Sequence, residues 1–213
     1  MKSQQIITPQ VKVVSKVEFG GPQKRVGILG GTFNPPHLGH LIIADQVRSQ
    51  LGLDKVQFMP NNLPPHVDHK DTIAAKYRLK MLQLSITDNK YFEIEDYEIH
   101  KGGVSYSIDT LKELMQLHPE NEYYFIIGGD MIAYLPKWRQ IDELVKLVKF
   151  VGVCRPGYKK ECRYPILWVD VPQLDISSTL IRQKVKHGCS IKYLVTDAVA
   201  DYIQKEKLYF GGD

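Results

Sequence analysis

No Cys-x-x-Cys pair, no low-complexity tract and no internal repeat occur in the chain, and cysteine itself is scarce. Cys154, Cys162 and Cys189 are an odd set at wide spacing, which excludes a disulfide framework and a thiolate zinc site. No apolar run approaches the roughly 18 residues that a bilayer span needs. The first 25 residues are polar and lack the hydrophobic segment of a signal peptide, so a cytoplasmic location without a membrane partner is expected. Positive charge is also missing where a nucleic-acid binder would carry it. The net charge of +4 resides in Lys2, Lys12, Lys16, Lys24 and Arg25 against Glu18, and the remainder is formally neutral. A duplex binder concentrates Lys and Arg on its folded face, so nucleic acid is not an expected partner.

Two common phosphate motifs are absent as well. No glycine is followed by Lys-Ser or Lys-Thr as in a Walker loop, and the Gly-x-Gly-x-x-Gly spacing of hydride-transfer enzymes does not occur. What is present is a different glycine turn. Val26-Gly27-Ile28-Leu29 reads as a buried strand, Gly30-Gly31 breaks it, and Leu38, Leu41, Ile42 and Val47 then recur at helical spacing. Strand, glycine turn and helix start form an anion site, because backbone N–H groups and the helix dipole both favour negative charge. His37 and His40 stand three residues apart at that helix start, so both imidazoles can serve one phosphate. Gly39 between them, lacking a Cβ, is expected to let a ligand approach the backbone.

The 213 residues suit one α/β domain over residues 25–213, after an N-terminal tail over 1–24 that reads as flexible or as an extra edge strand at Val11–Val14. Further strands are expected at Lys55–Pro60, Phe92–Glu95, Glu122–Ile127, Phe150–Cys154 and Ile166–Val171, with helices between them. That alternation predicts a Rossmann-like, doubly wound parallel sheet. Its loops carry the other candidates. Asn61 follows the second strand, and His66-Val67-Asp68-His69 nearby lacks a third metal ligand and reads as a solvated loop. The helix Thr72–Thr87 carries Arg78, either a substrate contact or a surface salt bridge. Ser105-Tyr106-Ser107 precedes a helix, either serine serving as N-cap and the helix start favouring an anion. Gly128-Gly129-Asp130 ends a strand where a carboxylate can accept from ribose hydroxyls. Pro136-Lys137-Trp138-Arg139 is expected to open a helix, with Trp138 either core or a stacking platform. In Ile176-Ser177-Ser178-Thr179, Ser177 or Ser178 caps a helix that carries Arg182 one turn in, either a second anion site or a plain cap with a surface Arg. Tyr193–Lys205 reads as a terminal helix.

Gly-Thr-Phe-Asn-Pro-Pro-His-Leu-Gly-His resembles the signature of the nucleotidylyltransferase superfamily, with Asn34 where many relatives have Asp. Together with Phe-Met-Pro-Asn, Ser-Tyr-Ser-Ile-Asp-Thr, Ile-Ile-Gly-Gly-Asp-Met, Leu-Pro-Lys-Trp and Ile-Ser-Ser-Thr-Leu-Ile-Arg it resembles the bacterial nicotinate-nucleotide adenylyltransferases over Arg25–Tyr209. The resemblance implies adenylyl transfer from ATP to nicotinate mononucleotide, giving deamido-NAD and pyrophosphate, with Mg2+ accompanying ATP. It implies His37, His40 and Arg182 as catalytic residues. Gly30, Gly31, Thr32, Phe33, Asn34, Ile176, Ser177, Ser178 and Thr179 would hold ATP. Asn61, Ser105, Tyr106, Ser107, Gly128, Asp130 and Trp138 would hold the pyridine nucleotide, and no residue is assigned to a metal. A homo-oligomer is compatible with the sequence.

Nicotinamide mononucleotide, phosphopantetheine and glycerol-phosphate nucleotidylyltransferases share the histidine motif. A nucleotide-sensing module that keeps the fold without turnover is a reading from another class. The presence of both histidines and Arg182 argues against the sensor, and an aromatic platform at Trp138 has no use in the enzymes whose second substrate carries no ring.

Overall fold

The computed structural model describes residues 23–62, 72–154, 162–172 and 174–211, without the side chains of Asp130 and Cys154. The N-terminal stretch through Pro22, the His66–His69 loop and the Arg155–Gly157 turn lie outside the described residues.

Six strands alternate with helices in the order β1 (Lys24–Gly31), α1 (Leu38–Leu51), β2 (Lys55–Pro60), α2 (Ala75–Ile86), β3 (Phe92–Ile94), α3 (Tyr97–Lys101), α4 (Ser107–Leu117), β4 (Asn121–Gly128), α5 (Gly129–Tyr134), a 3-10 turn (Leu135–Lys137), α6 (Ile141–Leu147), β5 (Lys149–Cys154), β6 (Ile166–Asp170), α7 (Ser178–Lys186) and α8 (Asp197–Lys205). The strands form one all-parallel sheet in the order β3-β2-β1-β4-β5-β6. This is the α/β, doubly wound architecture expected from the alternation, and the six strands expected from Val26 onward are all in the sheet. No helix among the described residues is long and apolar enough to cross a membrane.

Side chains of a strand alternate between faces, so each central strand feeds two cores. Val26 and Ile28 join Tyr123, Phe125 and Ile127 on one face, under Ile108, Leu111 and Leu114 of α4 and Leu144 of α6. Leu29, Tyr124, Ile126 and Val151 point the other way, under Ala44 and Val47 of α1 and Leu82 and Ile86 of α2. Full burial of each such side chain contributes about 1.5–3 kcal/mol. A third cluster lies off the sheet, where Met81 of α2 meets Ile181 and Val185 of α7, Val199 and Ile203 of α8, and Leu208. This cluster docks the C-terminal helices near the motif that follows β1.

Helix ends depart from the sequence reading in three places. Neither Ser105 nor Ser107 caps α4; Tyr106 is its extended N-cap, with no side-chain cap bond. Ser105 is buried instead, at 8% exposure. Pro136–Arg139 opens no long helix, because Gln140 adopts a left-handed φ of 51° and delays α6 to Ile141. The last helix starts at Asp197 rather than Tyr193: Thr196 accepts from Val199 N–H as its cap, and Tyr193 has φ 65°.

β1 and β4 are neighbours whose onward connections run to opposite edges of the sheet. The crevice at their carboxyl ends is the place where a doubly wound sheet leaves room for a ligand. Gly30-Gly31-Thr32 and Gly128-Gly129 stand there.

Candidate active site

α1 begins directly at the histidine pair. His37 is the extended N-cap and His40 lies in the first turn. The two imidazoles stack, with centroids 3.7 Å apart and planes at 25°. His40 Nδ1 accepts from the His37 backbone N–H at 3.1 Å, which leaves the proton of the neutral ring on Nε2, a donor. Phe33 is buried with a left-handed φ of 50° and meets the His40 ring edge-on at 5.0 Å. A phenylalanine held in that region costs of order 1–3 kcal/mol, strain of the kind that collects at functional sites. Gly39 serves a purpose other than the expected one. A Cβ there would stand 3.0 Å from His37 Nδ1, so the glycine makes room for the folded-back imidazole rather than for a ligand.

Burial lowers the His37 pKa to about 4, and burial together with the neighbouring His37 lowers that of His40 as well. Both rings are therefore neutral at neutral pH. Two imidazolium ions 3.7 Å apart would repel each other, so a proton enters this stack only with a compensating anion.

The loop between Thr32 and His37 is held from outside itself. Arg78, only 2% exposed, donates from Nη1 to the carbonyls of Thr32 (2.8 Å) and Asn61 (2.9 Å). It is thus no surface residue, and among the described residues it pairs with carbonyls rather than a carboxylate. It joins the loop after β1 to the loop after β2. The backbone N–H of Asn61 also donates to Gly31 O at 3.0 Å. Ser178 Oγ donates to Pro35 O, and Arg182 Nη1 donates to Asn34 O at 3.0 Å. Ser177 caps α7 by accepting from Leu180 N–H, and Thr179 Oγ1 accepts from Arg182 Nη2 at 3.3 Å. Ile176 is half-buried against the C-terminal cluster. Thr179, Arg182, Lys186 and Tyr209 line a cleft of about 300 Å3 beside this loop, with two cations on its wall. The two expected anion sites are therefore adjoining parts of one structure.

The pyridine-side candidates gather around the start of α4. Trp138 is half-buried and meets Phe125 (5.8 Å, 88°) and Phe150 (6.1 Å, 69°) edge-on, so one part of its indole is core while another stays accessible. The next residue, Arg139, stacks 4.8 Å over the Tyr106 ring and pairs with Asp109 at 3.2 Å. That fastens the Trp138 loop to the first turn of α4. Behind it, the Thr110 hydroxyl donates at 3.0 Å to the buried Glu98, whose carboxyl burial pushes above the ordinary range. Asn62 Nδ2 donates to Gly103 O and links the β2 loop to the same region. Gly128 ends β4, and Asp130 stands in α5 with its side chain outside the described set. The sequence assigns no role to Arg139, Glu98 or Tyr209. Of these only Arg139 carried a signal, its position next to Trp138.

The cytidylyltransferase-like family matches residues 28–184. A Lactiplantibacillus plantarum protein named "Probable nicotinate-nucleotide adenylyltransferase" is 57% identical over 202 residues, covering 95% of this chain and 96% of its own. A protein of the same name from Enterococcus faecalis is 59% identical over 187 residues, covering 88% and 85%. The structure of Plasmodium falciparum nicotinic acid mononucleotide adenylyltransferase complexed with NaAD shares the fold, with a TM-score of 0.74 at 22% identity, over 88% of this chain and 98% of that one. The chain belongs to the nicotinate-nucleotide adenylyltransferases, within the cytidylyltransferase-like family.

Proposed function

We propose that this chain joins ATP to nicotinate mononucleotide, forming deamido-NAD and releasing pyrophosphate, a step of NAD biosynthesis. The observation that carries this reading is the stacked His37–His40 pair at the start of α1, tied to the α7 arginine through Asn34. Relatives at 57–59% identity with the same name support the choice of pyridine nucleotide. A cytoplasmic location suits an ATP-consuming biosynthetic enzyme.

The chemistry needs no nucleophilic side chain. The 5′-phosphate oxygen of the mononucleotide forms a bond to the α-phosphorus in line, and the bond from that phosphorus to the bridging oxygen of pyrophosphate breaks. Positioning and charge stabilisation then supply the rate. The Nε2–H of His40 donates to an α-phosphate oxygen as charge builds there, and His37 supports it from the stacked ring. Arg182, with Ser177, Ser178 and Thr179 around it, meets the β- and γ-phosphates and stabilises the leaving group. Gly30, Gly31, Thr32, Phe33 and Asn34 form the floor beneath the nucleotide. Magnesium would accompany the nucleotide and would supply neutralisation of the phosphate charge, with Arg182 and Thr179 beside it. Among the described residues no three His, Cys, Asp or Glu side chains gather to hold a cation.

On the acceptor side, Trp138 stacks on the pyridine ring while the N–H groups opening α4 at Tyr106-Ser107 receive its carboxylate, with Ser105 packed behind them. Asn61, Gly128 and Asp130 contact the ribose and phosphate. The deciding experiment is pyrophosphate release from ATP with nicotinate mononucleotide, nicotinamide mononucleotide and phosphopantetheine compared. Turnover with the first supports the assignment; turnover confined to either of the others, or none at all, overturns it.

A further inference from the structure

The Tyr209 hydroxyl donates to Asn34 Oδ1 at 2.8 Å, although 175 positions separate the two residues. The segment that delivers it is built with some strain. Lys207 and Tyr209 both have left-handed φ values, 51° and 65°, on either side of buried Leu208. A side chain other than glycine disfavours this region, so the chain bends here against its preference. The result sinks Leu208 into the α2–α7–α8 cluster and turns the tyrosine toward the loop after β1. Burial raises the Tyr209 pKa above its ordinary value, so the phenol remains a neutral, permanent donor. Asn34 is thereby gripped twice, by Tyr209 at its side chain and by Arg182 at its carbonyl. Two further anchors follow, at Pro35 O from Ser178 and at Leu38 N–H, which donates to Leu194 O at 2.9 Å.

We propose that Tyr209 is a positioning residue for adenylyl transfer: by holding Asn34 it fixes the loop that sets the His37–His40 stack against the reacting phosphate. This rests on the function proposed above and adds to it a residue outside the nucleotidylyltransferase motifs. Tyr209 touches no reacting atom in this scheme. It acts through Asn34, and its loss shows as misplacement of the histidines, not as loss of a contact to ATP.

The test is Tyr209→Phe, which keeps the ring and its packing and removes only the hydroxyl. The expected result is a fall in kcat of about tenfold to a hundredfold, the scale of a small misplacement at a reacting centre, with KM for ATP within about threefold. A cycle with Asn34→Ala separates positioning from general stabilisation. If Tyr209 acts through Asn34, the double variant is no slower than the slower single variant. Amide exchange supplies a readout that needs no turnover: the Leu38 N–H should exchange about tenfold faster in Tyr209→Phe while Ile28 in β1 is unchanged. A kcat within twofold of the parent, multiplicative losses in the cycle, or unchanged Leu38 exchange overturns the proposal. Should the parent protein itself release no pyrophosphate, the assigned function fails, and the Leu38 exchange alone decides whether Tyr209 holds the loop.

Discussion

Ser178 Oγ donates to the carbonyl oxygen of Pro35 at 2.7 Å across 143 positions of sequence. The bond seats the first turn of α7 on the loop that ends at His37. A shift of α7 therefore moves the His37–His40 stack and Arg182 together. The two halves of the site respond to damage as one unit.

His40→Ala removes one preorganised donor from the transition state. The expected outcome is a fall in kcat of about 10²-fold or more, with ATP affinity changed far less. Steady-state kinetics combined with nucleotide binding by calorimetry checks this, and near-normal turnover would remove His40 from the chemistry.

Acid should unfold this protein partly through the same stack. Folding lowers the His37 pKa from 6.5 to about 4 through burial, and lowers that of His40. The unfolded chain then binds more protons below about pH 6.5, so stability is complete above that value and is lost as pH falls toward 4. For His37 alone the loss amounts to roughly 3 kcal/mol. Denaturant unfolding between pH 7.5 and pH 4.5 reads the slope, which should become shallower in His37→Asn. An equal slope in both proteins would mean that the imidazole is already charged in the fold.

Arg78→Met deletes the donor shared by Thr32 and Asn61 while keeping much of the volume. Two part-buried carbonyls lose their partner, at up to about 1–3 kcal/mol each. Stability should fall, and KM should rise for both substrates, since one loop serves each. A rise for only one substrate would show that the bridge does not couple the loops.

Substrate choice offers a test of the α4 site. Unpaired donors that an amide leaves behind cost about 1–3 kcal/mol, so nicotinate mononucleotide should exceed the nicotinamide form in kcat/KM by roughly tenfold to a hundredfold or more. Trp138→Ala should weaken both while largely keeping their ratio, because stacking treats the two rings alike. Equal kcat/KM values in the parent enzyme would reject the carboxylate site.

Much of this architecture is legible in the residues because it depends on local signals. The apolar runs Val26–Leu29 and Tyr124–Ile127 announce central strands, the Gly30-Gly31 break marks the turn, and Ser177 is a cap whose hydroxyl finds a nearby N–H. What stays hidden depends on backbone atoms far away. Arg78 binds carbonyls, which every residue possesses, so no residue type at positions 32 or 61 betrays the contact. Tyr209 and Asn34 meet only because the α2–α7–α8 cluster forms. The helix starts misread at Ser105 and Tyr193 show the same limit, since tertiary burial and a left-handed residue outweighed capping preference there.

The sheet is finished at Asp170, yet bonds from Ser178, Arg182 and Tyr209 hold the loop before His37, and a fourth, to Leu194, holds Leu38 just after it. On a ribosome, where domains fold as their segments emerge, the six-stranded sheet would be complete before the loop ahead of His37 had these C-terminal supports. A nascent chain stopped short of α7 would carry all six strands and the Arg78 contact, and lack these four bonds. These four contacts arrive only with residues 178–209, after the last strand of the sheet.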